Sequence, residues 1–103
     1  MDMPKIYEYL GILIMFYSNE HEPIHVHGKY QGQESKAEFT IIEGNVVKIT
    51  IKNVKGRKPL SSNILKNFGQ FVNTYSDRIV QKWIDYFVLH KQVECEKVEG
   101  KIK

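Results

Sequence analysis

One cysteine, three prolines and no long apolar run are the scarcities that first bound this chain of 103 residues. A single Cys95 cannot close an internal disulfide, and one sulfur does not build a zinc ribbon, so a reducing compartment is the simplest setting. Its neighbours Glu94 and Glu96 disfavour a thiolate and leave a reactive-thiol role without local support. The apolar stretch Leu10 to Tyr17 is too short to cross a bilayer. It follows Glu8 and Tyr9 and has no small-residue cleavage site after it, so it is not read as an export signal, and the expected location is cytoplasmic. There is no internal repeat, no low-complexity tract and no composition break that would mark a second domain. Charge of one sign is also scarce. A net charge of +3 permits RNA, DNA or an acidic protein as partner without demanding any of them.

What is present is ordinary for a folded domain: 42% hydrophobic, 12% aromatic and 26% charged residues, enough for one core without a metal or disulfides merely to fold. After a short lead-in ending at Lys5, Ile6 to Tyr9 alternates as a brief strand or as an extension of the next one across Gly11. The continuously apolar Ile12 to Tyr17 predicts a central strand covered on both faces. Ile24 to Tyr30, Glu34 to Ile42 and Val46 to Val54 alternate as three further strands, separated by turns at Gln31-Gly32-Gln33 and Glu43-Gly44-Asn45. Lys55-Gly56-Arg57-Lys58-Pro59 has no apolar side chain and reads as a loop. Beyond it, Ser61 or Ser62 can cap a helix carrying Ile64, Leu65, Phe68, Phe71, Val72 and Tyr75 at helical spacing. Ile79, Val80, Trp83, Ile84, Phe87 and Val88 then continue the stripe, as a second helix or the far limb of one bent near Ser76. The expected fold is α+β: an antiparallel meander of about four strands with two C-terminal helices packed on one face. Residues 1–90 form the domain and 91–103 a tail or edge strand.

The chemistry-bearing residues concentrate in Asn19-Glu20-His21-Glu22-Pro23-Ile24-His25-Val26-His27-Gly28-Lys29, which holds three of the four histidines. In a strand His25 and His27 share one face with Cα atoms roughly 6.5 Å apart, while Ile24 and Val26 look into the core. Pro23 bars a regular ladder, and the turn can carry His21 back over the other two. The plainest reading is structural: two polar-face strand residues and a turn histidine held by backbone hydrogen bonds. Two sharper readings stand beside it. Three imidazoles with an open position suit zinc, nickel or ferrous iron, with Glu20 or Glu22 supplying a carboxylate or orienting a ring, so His21, His25 and His27 are a candidate set for a divalent transition metal. Alternatively the same three are catalytic acid–base groups that cleave RNA without metal. One imidazole then takes the 2′-hydroxyl proton and another protonates the leaving oxygen, with Lys29, Lys55, Arg57 and Lys58 as the nucleic-acid-binding cations. That version needs the basic loop to lie near the histidines. The competing reading of Lys55, Arg57 and Lys58 is a solvated, positively charged loop. A non-enzymatic module holding protein or nucleic acid through strand edges and the basic loop is the alternative from another class.

Pro-Lys-Ile, the run Gly-Ile-Leu-Ile-Met-Phe-Tyr and then Glu20, His21, Pro23, His25 and His27 together resemble a family of small bacterial proteins labelled as a domain of unknown function. Its members show an acidic residue followed by His-x-Pro-Pro-His-Phe-His after an apolar strand. Ile24 stands here for the usual second proline and Val26 for the usual phenylalanine, and neither change removes a histidine. The resemblance implies strands followed by helices up to about His90. It also implies a co-encoded small partner, because some members are classed as DhiT-type toxins of toxin–antitoxin pairs, and it brings no established reaction with it.

Overall fold

Three residue pairs ending in glycine set the sheet. Leu10–Gly11, Gln31–Gly32 and Glu43–Gly44 all have positive φ at both residues, from 47° to 82°. That is the backbone of a two-residue hairpin turn, whose twist matches that of the strands it joins. In the computed structural model, which describes residues 4–17 and 24–100, the turns connect β1 (Lys5–Tyr9) to β2 (Ile12–Met15), β3 (His25–Tyr30) to β4 (Gln33–Ile42), and β4 to β5 (Asn45–Asn53).

The strand order is β5-β4-β3-β2-β1-β6, with β6 (Glu96–Val98) running parallel to β1 and the other pairs antiparallel. The α+β class is as expected, but the sheet is a mixed one of six strands in place of an antiparallel one of about four. Leu10–Gly11 reverses the chain, so Ile6 to Tyr9 is a strand of its own and not an extension of β2. The sixth strand has three residues, Glu96, Lys97 and Val98, too few to show a period. The two later turns are also shorter than expected, because Gln33 and Asn45 belong to β4 and β5.

Helix α1 (Ser62–Thr74) ends at Tyr75, where φ −103° and ψ 15° interrupt the helix before α2 (Ser76–Trp83) begins. One π-helical turn, Ile84–Val88, continues α2. Ser61 occupies the N-cap position in extended geometry but makes no side-chain cap hydrogen bond. The helical stripe packs as its spacing predicts: Phe68, Phe71, Val72 and Ile79 are buried against Tyr7, Tyr9, Ile14, Phe16, Val26, Ala37 and Phe39. Each fully buried side chain of this size contributes about 1.5–3 kcal/mol. Burial, reinforced by the Glu96 carboxylate, pushes the Tyr7 hydroxyl pKa up to about 12. Gly28 fixes how closely α1 approaches, since a Cβ there would lie 2.6 Å from Cε1 of Phe68. The helices thus cover the Val26 and Gly28 side of β3, which leaves His25, His27 and Lys29 on the opposite face.

Candidate functional site

The two-residue turn at Gln31–Gly32 dictates what stands beside each histidine. It sets Lys29 opposite Glu34, His27 opposite Lys36 and His25 opposite Glu38. On the other flank Met15 pairs with His27 and Leu13 with Lys29. Beyond β4, Lys52 stands opposite Lys36 and Thr50 opposite Glu38. Paired residues in an antiparallel ladder share a face, so all of these side chains lie on the sheet face away from the helices.

Glu34 is the centre of the cluster. Its side chain is 2% exposed, and polar side chains meet both of its oxygens. The Tyr17 hydroxyl donates to Oε2 at 2.5 Å, and Nδ1 of His27 lies 2.7 Å from the same oxygen. The other oxygen, Oε1, faces Nε of Arg57 at 3.5 Å and Nζ of Lys29 at 3.9 Å. Desolvating a lone carboxylate costs several kcal/mol, and these four partners are the compensation that makes the burial tolerable. A carboxylate only accepts, so in the His27–Glu34 bond Nδ1 of His27 is the donor. Tyr17 also stacks flat on the His27 imidazole, with centroids 3.9 Å apart and planes 7° from parallel. The His25 ring meets His27 edge-on at 5.2 Å.

Arg57 reaches this place because its loop is stitched to the start of β4. Gln33 and Lys58 form a parallel bridge, and the Glu34 amide donates to the Lys58 carbonyl at 2.8 Å. The Leu60 amide donates to Oγ of Ser35 and the Ser61 amide to Oε1 of Gln33. A cavity of about 420 Å³ opens at this seam, with Leu13, Lys29, Tyr30, Glu34 and Arg57 in its wall. A second ionic group lies further along the face, where Glu38 accepts from Lys52 at 2.9 Å and has Lys36 at 3.7 Å. The Lys52 hydrogen bond holds the Glu38 carboxyl below the ordinary carboxylate value, against a smaller upward pull from burial, and the charges of Lys52, Lys36 and His25 act in the same direction as the bond.

The sequence-predicted residues divide accordingly. His25 and His27 sit together on the expected face, but at 6% and 2% exposure they are far more enclosed than strand residues on an open polar face. Lys29 and Arg57 converge on Glu34, while Lys55 and Lys58 are exposed on the loop. His21, together with Glu20, Glu22 and Pro23, lies outside the described residues. The three-histidine metal set therefore cannot be assembled from the described residues, among which no group of three His, Cys, Asp or Glu side chains is arranged to hold a metal ion. Glu34 is the residue that sequence reasoning missed as part of the site. Treating Gln31–Gly32 as a two-residue turn would have placed it opposite Lys29.

No helix among the described residues is long and apolar enough to cross a membrane. A family model described as a domain of unknown function, DUF4160, matches residues 11–84, a span that runs from β2 through the histidine strand, β4, β5 and the basic loop to the end of α2. No curated protein and no solved structure matches the chain.

Proposed function

The chain belongs to the DUF4160 family, and from the geometry of the sheet face away from the helices we propose that it binds the phosphodiester backbone of RNA and cleaves it by acid–base chemistry. The observation that carries this reading is the convergence of Arg57 and Lys29 on the carboxylate that orients His27. Two cations beside a cavity suit a phosphate, and an imidazole held by a carboxylate suits proton transfer. In the proposed step the 2′-oxygen attacks phosphorus as its proton passes to one imidazole. The bond from phosphorus to the 5′-oxygen breaks as a second imidazole returns a proton to that oxygen. Lys29 and Arg57 stabilise the charge on the phosphorane. The imidazoles are drawn from His25, His27 and His21. Tyr17 covers one face of the His27 ring, whereas proton transfer takes place in the ring plane at its nitrogens.

A toxin-like role in the cytoplasm, restrained by a co-encoded protein, belongs to the same proposal, since RNA cleavage slows growth. The test is RNA degradation by purified protein in excess chelator, with Arg57→Ala as the comparison. Arg57 is 55% exposed, so its loss should spare the fold. Chelator-resistant cleavage that falls by about 100-fold in Arg57→Ala supports the reading, a magnitude typical of losing one transition-state charge contact. Stoichiometric bound metal and cleavage abolished by chelation would replace it with a metal centre on His21, His25 and His27.

A second reading is favoured by one observation, the enclosure of both described imidazoles. There the Tyr17–His27–Glu34 cluster only shapes the Lys29–Arg57 cavity, and the protein binds an anionic polymer without cutting it. RNA binding that Arg57→Ala weakens, with no cleavage under any condition, would select this reading.

A further inference from the structure

Strand β4 repeats one arrangement twice along the sheet face away from the helices. At Glu34 a carboxylate stands between two cations, Lys29 and Arg57. Four residues on, and so on the same face about 13 Å away, Glu38 stands between two more, Lys52 at 2.9 Å and Lys36 at 3.7 Å. The register of β4 and β5 creates this second group by setting Lys36 directly opposite Lys52, a pairing of like charges that weakens a sheet. Lys48, opposite Thr40, adds a further cation beyond it. Lysines also serve to blunt an edge strand, and Lys48 and Lys52, with the bulge that leaves Val47 unpaired, do so for β5. Lys36 has no such task, because β4 is an interior strand paired on both sides. A cation placed against a second cation on an interior strand is the arrangement expected of a site for an anion.

We propose that Lys36 and Lys52 form a second phosphate subsite, so that the RNA taken by this face is a single strand whose backbone runs along β4 from the Lys29–Arg57 cavity toward Lys48. The inference rests on the reading of this face as an RNA site and names the form of RNA it takes. His27 and His25, opposite Lys36 and Glu38, stand alongside the line between the two groups. Lys36 and Lys52 are 26% and 53% exposed, open enough to meet a ligand. The distance between the groups is the reach of two nucleotides of extended strand, so the phosphate at Lys36 and Lys52 is the second one along from that at Arg57. Lys36, Glu38, Thr40, Lys48, Thr50 and Lys52 share this part of the face, and none of them is an aromatic side chain on which a base could stack. Recognition here is therefore of the backbone and tolerant of sequence. A single strand suits the site better than a duplex for two reasons. Both groups lie on one line that one backbone can follow, and attack by a 2′-oxygen needs a linkage free to turn in line with the leaving oxygen, which pairing into an A-form helix prevents.

The test is binding of 2′-O-methyl oligonucleotides of two to six residues and mixed sequence, which cannot be cut through the 2′-oxygen, followed by fluorescence anisotropy across a salt series. Wild-type affinity should rise by about tenfold between the trinucleotide and the tetranucleotide, whose three phosphates are the shortest set that spans both groups. Lys36→Gln with Lys52→Gln should remove that step and lower the salt slope for the hexanucleotide by about 0.7, the value for one phosphate contact on a single strand. Glu38→Gln should act the other way and tighten the hexanucleotide, because it removes the acid and leaves both lysines, whereas a purely structural role for the group predicts weaker binding. Thermal unfolding checks that each variant is folded. Binding that Arg57→Ala weakens but Lys36→Gln with Lys52→Gln does not would overturn the second subsite and leave the first. A duplex that competes as well as the single strand would also overturn it. No binding of RNA by the wild type would remove both readings, whereas a length step without cleavage of the ribose form would keep the subsite and remove the cleavage.

Discussion

Replacing Glu34 by alanine is the most revealing perturbation of this fold, because a buried carboxylate with two hydrogen bonds on one oxygen has a predictable energetic signature. Lys29 and Arg57, at 32% and 55% exposure, are solvated in either state, so their ion pairs to Oε1 contribute no more than about 1 kcal/mol together. The larger effect lies at Oε2, where the Tyr17 hydroxyl and the His27 Nδ1–H meet a charged acceptor. Hydrogen bonds to a charged group contribute about 1.5–3 kcal/mol each, and breaking a buried ionic group by removing one partner costs about 3–5 kcal/mol. Glu34→Ala should therefore lower the unfolding free energy by about 3–5 kcal/mol, a large part of the ~5–15 kcal/mol that holds a domain of this size. Tyr17→Phe should cost about 1.5–3 kcal/mol. The double variant should cost about 1–2 kcal/mol less than the sum, because the Tyr17–Glu34 bond is lost only once. Urea unfolding at neutral pH, with unchanged slopes as the check on two-state behaviour, measures all three. A Glu34→Ala loss below about 1 kcal/mol, or strict additivity with Tyr17→Phe, would refute the account of the cluster as a compensated buried charge.

Gly28→Ala should cost about 1–3 kcal/mol, because the new methyl would meet the Phe68 ring at 2.6 Å within a fully buried contact, and Phe68→Leu should recover part of the loss in thermal unfolding. Glu38 gives the site a pH signature. Its carboxyl is held below the ordinary value of 4.5, so the stabilisation is fully present above that value and is lost as pH falls through the depressed folded one. In Lys52→Met the principal cause of the depression is gone, and a carbon-detected titration should find Glu38 closer to 4.5, with a shallower acid limb in the stability curve. An unchanged Glu38 titration would show that the bond at 2.9 Å does not persist in solution.

The architecture was legible where burial decides it. Phe68, Phe71, Val72 and Ile79 kept helical spacing and became the covering face, and Val26 beside His25 and His27 told the two faces of β3 apart. What the residues did not announce was set by turns and long-range pairing. A hairpin slips by a residue when one turn position is misassigned, and counting Gln33 into the turn hid the opposition of Lys29 and Glu34. The six-strand count was hidden in Leu10–Gly11, a reversal inside what read as one apolar stretch, and in a final strand too short for periodicity. Arg57 could be named as a cation from its loop, but its place beside the histidine strand depends on backbone bonds from Glu34 and Leu60 that no local pattern encodes. The enclosure of His27 follows from Tyr17 folding over it, a contact ten residues apart in sequence that stacking and a shared carboxylate create together.

The central claim meets its most direct test in a pair of matched oligonucleotides, one all ribose and one carrying a single ribose in an otherwise 2′-deoxy strand, incubated with the purified chain in excess chelator and resolved by mass spectrometry. Acid–base cleavage through the 2′-oxygen predicts scission of the chimaera only after its ribose, with a 2′,3′-cyclic phosphate on the upstream fragment. Intact strands from a folded protein, or cuts at the deoxy positions, would contradict it.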